Sequence, residues 1–234
     1  MSLNREQIKQ EVKAELIQSM MERFGHEKER KLTNYRQQNA YIQKGRMLFT
    51  GSSLMENFPI TEYCLNEGLP IAYNRGIGGY TTDEFLAAID TVLLDPQPAK
   101  LFINIGTNDM TDRIYGEKWM EHLCDNYEAI LRIAREKLPD AEIFCMAYYP
   151  TNRHLPDQNE WQAAMLKDRT AENITACNAR VKALAEKYGC RYIDVNRGLC
   201  DENGEQKEEY AIDGVHMYAS AYRIVFENLK PYLQ

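Results

Sequence analysis

The sequence predicts an α/β fold in which helices cover a parallel sheet. Short apolar runs alternate with longer segments of helical periodicity from residue 46 to the C-terminus, as is typical of parallel strands joined by crossover helices. The 234 residues, of which 44% are hydrophobic, are enough to bury the core of one such domain. No internal repeat or low-complexity segment interrupts the pattern.

The first 45 residues are predicted to form a helical arm ahead of a domain that spans residues 46–234. Over residues 4–24, apolar side chains recur at every fourth position between charged ones, which indicates an amphipathic helix. A second, more highly charged helix is predicted over residues 27–43. Such an arm packs on its own domain, which is the commoner use of an amphipathic helix, or joins copies of the chain in a homo-oligomer.

Five strands and four helices are predicted after the arm. The strands are expected at residues 46–50, 71–74, 100–105, 142–148 and 191–195. The helices are expected at residues 83–94, 117–138, 159–188 and 220–233. Ligands of parallel sheets bind beyond the carboxyl ends of the strands, so the loops that follow the strands are where chemistry is expected.

The composition argues against several classes of partner. A net charge of -7 and a pI near 5.3 are a poor match for nucleic-acid backbones and anionic lipids. No run approaches the roughly 20 apolar residues of a membrane span, and the charged N-terminus is unlike a secretory signal, so we expect a cytoplasmic protein. The six cysteines have neither CxxC nor zinc spacing, which predicts reduced thiols and no metal.

The first predicted strand runs into Gly-Ser-Ser-Leu at residues 51–54. A sharp turn from a strand into a helix exposes a nucleophilic hydroxyl. The same composition is also ordinary in turns. The position directly after a strand therefore carries the interpretation of Ser53 as a nucleophile.

The loop after the second strand has three glycines within four positions, Gly76, Gly78 and Gly79. Glycine allows backbone N–H groups to approach a ligand closely, so this loop is a candidate anion site. Thr81 and Glu84 also have the spacing of a capping box for the next helix, and both interpretations can hold together. A dinucleotide fingerprint is absent, so no cofactor is predicted.

The third predicted strand ends in Gly-Thr-Asn-Asp at residues 106–109. Asn108 or Asp109 could cap a short helix there. Alternatively, the Asn108 amide could donate a hydrogen bond to an oxyanion at the sheet edge that carries Ser53. The segment alone does not decide between these interpretations.

Near the C-terminus, Asp-Gly-Val-His at residues 213–216 places a carboxylate three positions before an imidazole. The carboxylate can fix the ring tautomer, which leaves the other ring nitrogen free to act as a base. His26 and His122 are expected to be structural or solvated. His154 follows a strand without a nearby acid in the sequence and is expected at the pocket mouth.

Taken together, these four segments resemble the sequence blocks of the GDSL/SGNH hydrolase family, in the order Ser, Gly, Asn, Asp/His, across residues 46–234. The glycine loop and Gly-Thr-Asn-Asp look closest to the branch that includes the platelet-activating-factor acetylhydrolase subunits. The resemblance implies a three-layer α/β/α sandwich of the flavodoxin-like type, with a five-stranded parallel sheet in the order 2-1-3-4-5.

The resemblance also implies roles for individual residues. Ser53 would be the nucleophile and His216 the general base, oriented by Asp213. The backbone N–H groups of Ser53 and Gly79 and the side-chain amide of Asn108 would form the oxyanion hole. The implied activity is that of an esterase or acylhydrolase, which cleaves carboxylic esters through an acyl-enzyme on Ser53.

Two positions depart from the family pattern. Ser52 stands where the family usually has Asp, which leaves Ser52 as an alternative exposed hydroxyl. Ala221 stands where the family has Gly, and we expect this change to affect only packing against Tyr222.

The substrate is predicted only in outline. Tyr80, Tyr149, Arg153 and His154 are expected to form a polar and aromatic substrate rim, which favours a short, acetyl-like acyl group on a polar alcohol. A lysophospholipase or thioesterase that uses the same residues is one alternative. A catalytically silent domain that binds a sugar or a protein is the other.

Overall fold

The apolar runs of the sequence assemble into a parallel sheet. A computed structural model describes the backbone of residues 5–234 and the side chains of residues 9–234. The strands are β1 Met47–Gly51, β2 Ala72–Asn74, β3 Lys100–Asn104, β4 Glu142–Met146 and β5 Arg191–Ile193. They pair in the order β2-β1-β3-β4-β5, and every pair is parallel, which confirms the predicted fold class and strand order.

Helices cover both faces of this sheet, as the alternation in the sequence predicted. In chain order they are α1 Arg5–Gln38, α2 Ser53–Glu56, α3 Ile60–Asn66, α4 Thr82–Ala87, α5 Asp112–Tyr115, α6 Trp119–Lys137, α7 Glu160–Leu166, α8 Ala171–Lys187 and α9 Ala219–Leu229. One core lies between the sheet and α4, α6, α8 and the second half of α1. The other core lies between the sheet and α2, α3 and α9.

The strands contribute side chains to both cores, because successive side chains of a strand point to opposite faces of the sheet. Phe49, Phe102 and Phe144 lie opposite one another on β1, β3 and β4, and their rings stack with centroid separations of 4.4 and 4.5 Å. Their neighbours Leu48 and Leu101 point into the other core. The central strands are therefore buried on both faces, as expected of a parallel sheet.

The predicted helix over residues 159–188 was wrong, because the structure contains two helices there. Asn159 caps α7 by accepting a hydrogen bond from the backbone N–H of Gln162 at 3.0 Å. The Thr170 hydroxyl accepts from the backbone N–H of Asn173 at 3.2 Å and starts α8. A threonine at an N-cap satisfies free N–H groups and so favours a new helix start. The break places Arg169 between the two helices.

Two other helices are shorter than predicted. The segment 83–94 forms α4, which ends at Ala87, and a separate π-helical turn at Asp90–Leu94. The last helix ends at Leu229 and passes into a 3₁₀ turn that contains Pro231. Proline has no N–H to donate within a helix, which accounts for the change.

The two predicted arm helices form one continuous helix, α1. Gly25 does not interrupt it, since a glycine within a helix costs only about 1 kcal/mol. Residues 1–4 of the predicted arm, including the predicted start of its first helix at residue 4, lie outside the described residues. The second half of α1 packs on the domain, where the Tyr35 hydroxyl donates to the Gly76 carbonyl at 2.9 Å. Val12, Leu16 and Met20 in the first half are exposed. A homo-oligomer formed through this half stays a prediction.

No helix within residues 5–234 is long and apolar enough to cross a membrane.

Candidate active site

The turn after β1 presents one serine hydroxyl and buries the other. Gly51 passes so close to the Asn104 carbonyl on β3 that a Cβ there would collide with it. Ser53 begins α2 and is partly exposed. Ser52 is only 1% exposed, and its Oγ has no hydrogen-bond partner among the described residues. Ser53 is thus the accessible hydroxyl of this turn.

Ser53, His216 and Asp213 form a continuous chain of hydrogen bonds. The His216 Nε2 atom lies 2.8 Å from Ser53 Oγ, and the His216 Nδ1 atom lies 2.6 Å from Asp213 Oδ2. An ionised carboxylate only accepts hydrogen bonds, so His216 donates from Nδ1 and its Nε2 accepts the Ser53 proton. All three side chains are partly exposed.

The loop that carries Asp213 and His216 is held closed at its base. Ala211 and Met217 form an antiparallel bridge, and the N–H of Ile212 donates to the His216 carbonyl at 2.9 Å. Gly214 has φ +90°, and a Cβ there would collide with the Asn152 carbonyl. The tight turn therefore requires a glycine between the acid and the imidazole.

Asp213 is held in its ionised form. Burial favours the neutral acid, but hydrogen bonds from the His216 ring and from the backbone N–H groups of His216 and Val215 outweigh this effect. The pKa of Asp213 falls from 3.8 to about 2. The carboxylate is therefore charged at neutral pH and fixes the His216 tautomer.

Two backbone N–H groups of the predicted oxyanion hole are unpaired among the described residues. Neither the N–H of Ser53 nor that of Gly79 has a hydrogen-bond acceptor among residues 9–234. Ser53 is the first residue of α2, where backbone N–H groups have no partner within the helix. Gly79 has φ +72°, a backbone conformation that favours glycine. The glycine loop also contains the predicted capping box of Thr81 and Glu84.

The Asn108 amide is oriented by contacts at both ends. The buried Arg169, 6% exposed, approaches Asn108 Oδ1 with Nη2 at 3.3 Å and donates from Nε to the Thr107 carbonyl at 3.0 Å. Because a guanidinium only donates, this contact fixes which amide atom is oxygen. Asn108 Nδ2 donates one hydrogen to the Tyr80 carbonyl at 3.0 Å, and its second hydrogen has no acceptor among residues 9–234.

Nothing in the sequence pattern marked Arg169 as a site residue. Its position falls within a predicted helix, and only the break between α7 and α8 directs it to Asn108. Burial lowers its pKa to about 10, and the nearby carboxylates of Asp213, Asp109 and Asp168 oppose that shift. Arg169 is therefore charged at neutral pH.

Asp109 joins the Asn108 turn to the glycine loop. The fully buried carboxylate accepts hydrogen bonds from the Thr82 backbone N–H, at 3.0 Å to each oxygen, and from the Thr82 hydroxyl. Thr82 is the first residue of α4, so Asp109 acts at the start of that helix rather than as the cap of its own turn. Burial raises the pKa of Asp109 to about 6, although the Thr82 hydrogen bonds oppose this rise.

We expect Asp109 to make the folded chain more stable as the pH falls. Its pKa is about 6 in the folded state and close to the ordinary 3.8 of an aspartate in the unfolded state, so the folded state binds the extra proton between these pH values. Above pH 6 the buried carboxylate is charged, and its full desolvation cost destabilises the folded state. As the pH falls below 6 the carboxylate is protonated, and this cost decreases. This contribution should amount to about 1 kcal/mol between about pH 8 and pH 5.

Urea unfolding at the two pH values measures this effect. The free energy of unfolding at pH 5 minus that at pH 8 should be smaller by about 1 kcal/mol in Asp109→Asn than in the wild-type protein. An equal pH dependence in the two proteins would contradict the assignment. Asp140→Asn, at an exposed position, is the matched control.

Two of the four residues predicted for the substrate rim are buried, and the role of the other two stays a prediction. Tyr80 and Tyr149 are buried in the two cores, at 4% and 2% exposure, because helices cover the loops that carry them. Arg153 and His154 are exposed. His154 does have an acidic neighbour, Glu205, whose Oε2 lies 2.7 Å from its Nδ1.

A polar groove adjoins the triad loop, since Asn152 contacts Gly214 and also lines this groove. Its other lining residues are polar or charged: His154, Asp201, Asn203, Glu205, Lys207, Glu208 and Glu209.

The remaining histidine in the domain pairs with an acid that is not part of the triad. His122 Nε2 lies 2.9 Å from Asp83 Oδ2, and Asn126 and Tyr115 also contact this carboxylate. No group of three or more His, Cys, Asp or Glu residues suited to a metal ion is present within residues 9–234.

Comparisons with known proteins identify the family of the chain. The profile of the GDSL-like lipase/acylhydrolase family matches residues 56–224. No curated protein matches the sequence.

Several solved structures share the fold. A protein from Streptococcus pneumonia, provisionally assigned as a platelet activating factor, is 30% identical, with a TM-score of 0.82 over 94% of this chain and 99% of that chain. A provisionally assigned acylhydrolase from Bacteroides fragilis is 23% identical, with a TM-score of 0.70 over 86% and 94%. A GDSL-like lipase from Bacteroides thetaiotaomicron is 22% identical, with a TM-score of 0.69 over 86% and 96%.

Proposed function

The chain belongs to the GDSL-like lipase/acylhydrolase family, and we propose that it hydrolyses carboxylic esters with Ser53 as the nucleophile. The observation that carries this proposal is the position of His216, whose two ring nitrogens contact Ser53 Oγ and Asp213 Oδ2. This arrangement has the geometry of a nucleophile, a base and an orienting acid.

The first half of the reaction forms an acyl-enzyme. His216 Nε2 takes the Ser53 proton as Oγ attacks the ester carbonyl. The tetrahedral intermediate then collapses, and His216 returns the proton to the departing alcohol. Ser53 retains the acyl group as an ester.

Water completes the cycle. His216 removes a proton from a water molecule, which attacks the acyl-Ser53 carbonyl. Collapse of the second intermediate releases the carboxylic acid and restores the Ser53 hydroxyl. The net change is one ester and one water converted to one acid and one alcohol.

Three donors would stabilise both intermediates. The free N–H groups of Ser53 and Gly79 and the second amide hydrogen of Asn108 are the proposed oxyanion hole. Donors held in place before the reaction need no reorganisation when charge develops on the carbonyl oxygen. Arg169 and Asp109 support this proposal because they fix the turn that carries Asn108.

The surroundings of the triad favour a short acyl group on a polar alcohol. The groove beside the triad loop is lined by polar and charged side chains, four of which are acidic. A long acyl chain gains affinity from buried apolar surface, which this groove does not offer. The acidic residues also disfavour anionic lipid substrates.

A cytoplasmic location is part of the proposal, since the six cysteines are unpaired.

A chain-length series of p-nitrophenyl esters tests the substrate proposal. We expect kcat/KM to be highest for the acetyl ester and to fall by about tenfold or more at around eight carbons, because polar and charged side chains line the groove beside the triad loop. Acetylated sugars should release acetate. A preference for chains of eight carbons or more would reject the proposal in favour of a lysophospholipase or thioesterase.

A further inference from the structure

The Gly78–Gly79 peptide carries the N–H group proposed for the oxyanion hole, and two glycines flank it. Glycine has the widest backbone freedom of any residue, so this peptide could adopt many orientations. A donor to the oxyanion must be held in place before the reaction. Contacts outside the glycine loop must therefore restrict it.

Lys28 on α1 binds the next peptide along the chain, which joins Gly79 to Tyr80. Its ammonium donates to the Gly79 carbonyl at 2.9 Å and to the Glu84 carboxylate at 2.7 and 2.9 Å. It also lies 5.0 Å from the centre of the Phe24 ring and 5.6 Å from that of Tyr80. The Lys28 side chain is only 16% exposed, so solvent screens these interactions weakly.

A contact from α2, which is itself paired with α1, holds the peptide bond between Ile77 and Gly78. The Gly78 N–H donates to the Glu56 carboxylate, which also forms an ion pair with Lys31. The Gly78–Gly79 peptide therefore lies between two peptides that are each held by a hydrogen bond from outside the glycine loop. The Phe24 ring lies against Gly79, where a Cβ would collide with it.

We propose that α1 is part of the catalytic apparatus and that Lys28 is a positioning residue, which orients the Gly79 N–H towards the oxyanion. The proposal rests on the proposed function of Ser53. Lys28 does not contact the substrate carbonyl in this account. It acts through the Gly79 carbonyl, and Glu84 holds its ammonium in place.

Lys28→Met removes the ammonium and keeps most of the apolar stem. We expect kcat to fall by about tenfold or more, since loss of a whole oxyanion donor costs about 10²- to 10³-fold. KM for p-nitrophenyl acetate should change by less than about threefold, because ground-state binding does not use the oxyanion hole. Lys28→Arg, which keeps a charged donor, should restore most of kcat.

A transition-state mimic separates positioning from a general loss of structure. Affinity for an aryl trifluoromethyl ketone, which forms a hemiketal oxyanion on the serine, should fall in parallel with kcat. Lys13→Met provides the control, since Lys13 is exposed on the same helix. It should keep kcat and inhibitor affinity within about twofold.

The outcomes distinguish this proposal from the proposed function. If Ser53-dependent hydrolysis is present and Lys28→Met retains kcat and inhibitor affinity, the positioning role is rejected and the proposed function stands. If kcat falls while inhibitor affinity does not, Lys28 acts elsewhere and the role is also rejected. If the unchanged chain hydrolyses no ester, the proposed function itself fails.

Discussion

Ser53→Ala is expected to lower kcat for p-nitrophenyl acetate by about 10⁴-fold or more. Without Oγ, His216 Nε2 has no hydroxyl to activate, and only the oxyanion hole and substrate binding remain. The thermal midpoint should change little, because Ser53 is partly exposed and its loss leaves no cavity. Steady-state hydrolysis and a thermal melt of the same preparation measure both results.

Ser52→Ala is the matched control for this variant. The Ser52 hydroxyl is buried and has no described hydrogen-bond partner, so its removal should leave kcat within about threefold. Full activity in Ser53→Ala together with a large loss in Ser52→Ala would transfer the nucleophile to Ser52. Full activity in both variants would show that neither serine of this turn is the nucleophile.

Asp213→Asn is expected to lower kcat by about 10⁴-fold, through the wrong tautomer of His216. The amide oxygen of asparagine can still accept from the backbone N–H groups of Val215 and His216. Its NH₂ group would then face His216 Nδ1 and donate to it. The ring proton would move to Nε2, which could no longer accept the Ser53 proton.

Kinetics of Asp213→Asn and of Asp140→Asn test this expectation together. Asp140 is exposed, so its substitution removes one carboxylate charge without touching the triad. Its kcat should stay within about twofold of the unchanged chain. A loss below about tenfold in Asp213→Asn would show that the carboxylate does not control the base.

Local patterns predicted the sheet and the segments that carry the candidate site residues. The strand order followed from the family resemblance, and the burial of β1, β3 and β4 on both faces agrees with their continuous apolar runs. Ser53, Gly79, Asn108 and His216 could be proposed from the sequence because each lies just after a strand or beside a short-range partner. The contact between Asp213 and His216 needs only a three-residue turn.

Contacts between segments distant in sequence could not be predicted in this way. Arg169 reaches Asn108 across 61 positions, and Lys28 reaches Gly79 across 51. Neither residue belongs to a motif, and a lysine or arginine in a sequence is ordinarily expected to be a solvated charge. The burial of Tyr80 and Tyr149 was missed for the same reason, because it depends on how helices pack over their loops.

Labelling with a fluorophosphonate, followed by mass spectrometry of the intact protein and its peptides, tests the central claim most directly. The phosphonyl group transfers only to a hydroxyl activated by an adjacent base, and fluoride leaves. The account predicts one adduct per chain, on Ser53, which is absent from Ser53→Ala. No adduct on folded protein, or an adduct on Ser52 or another residue, would contradict it.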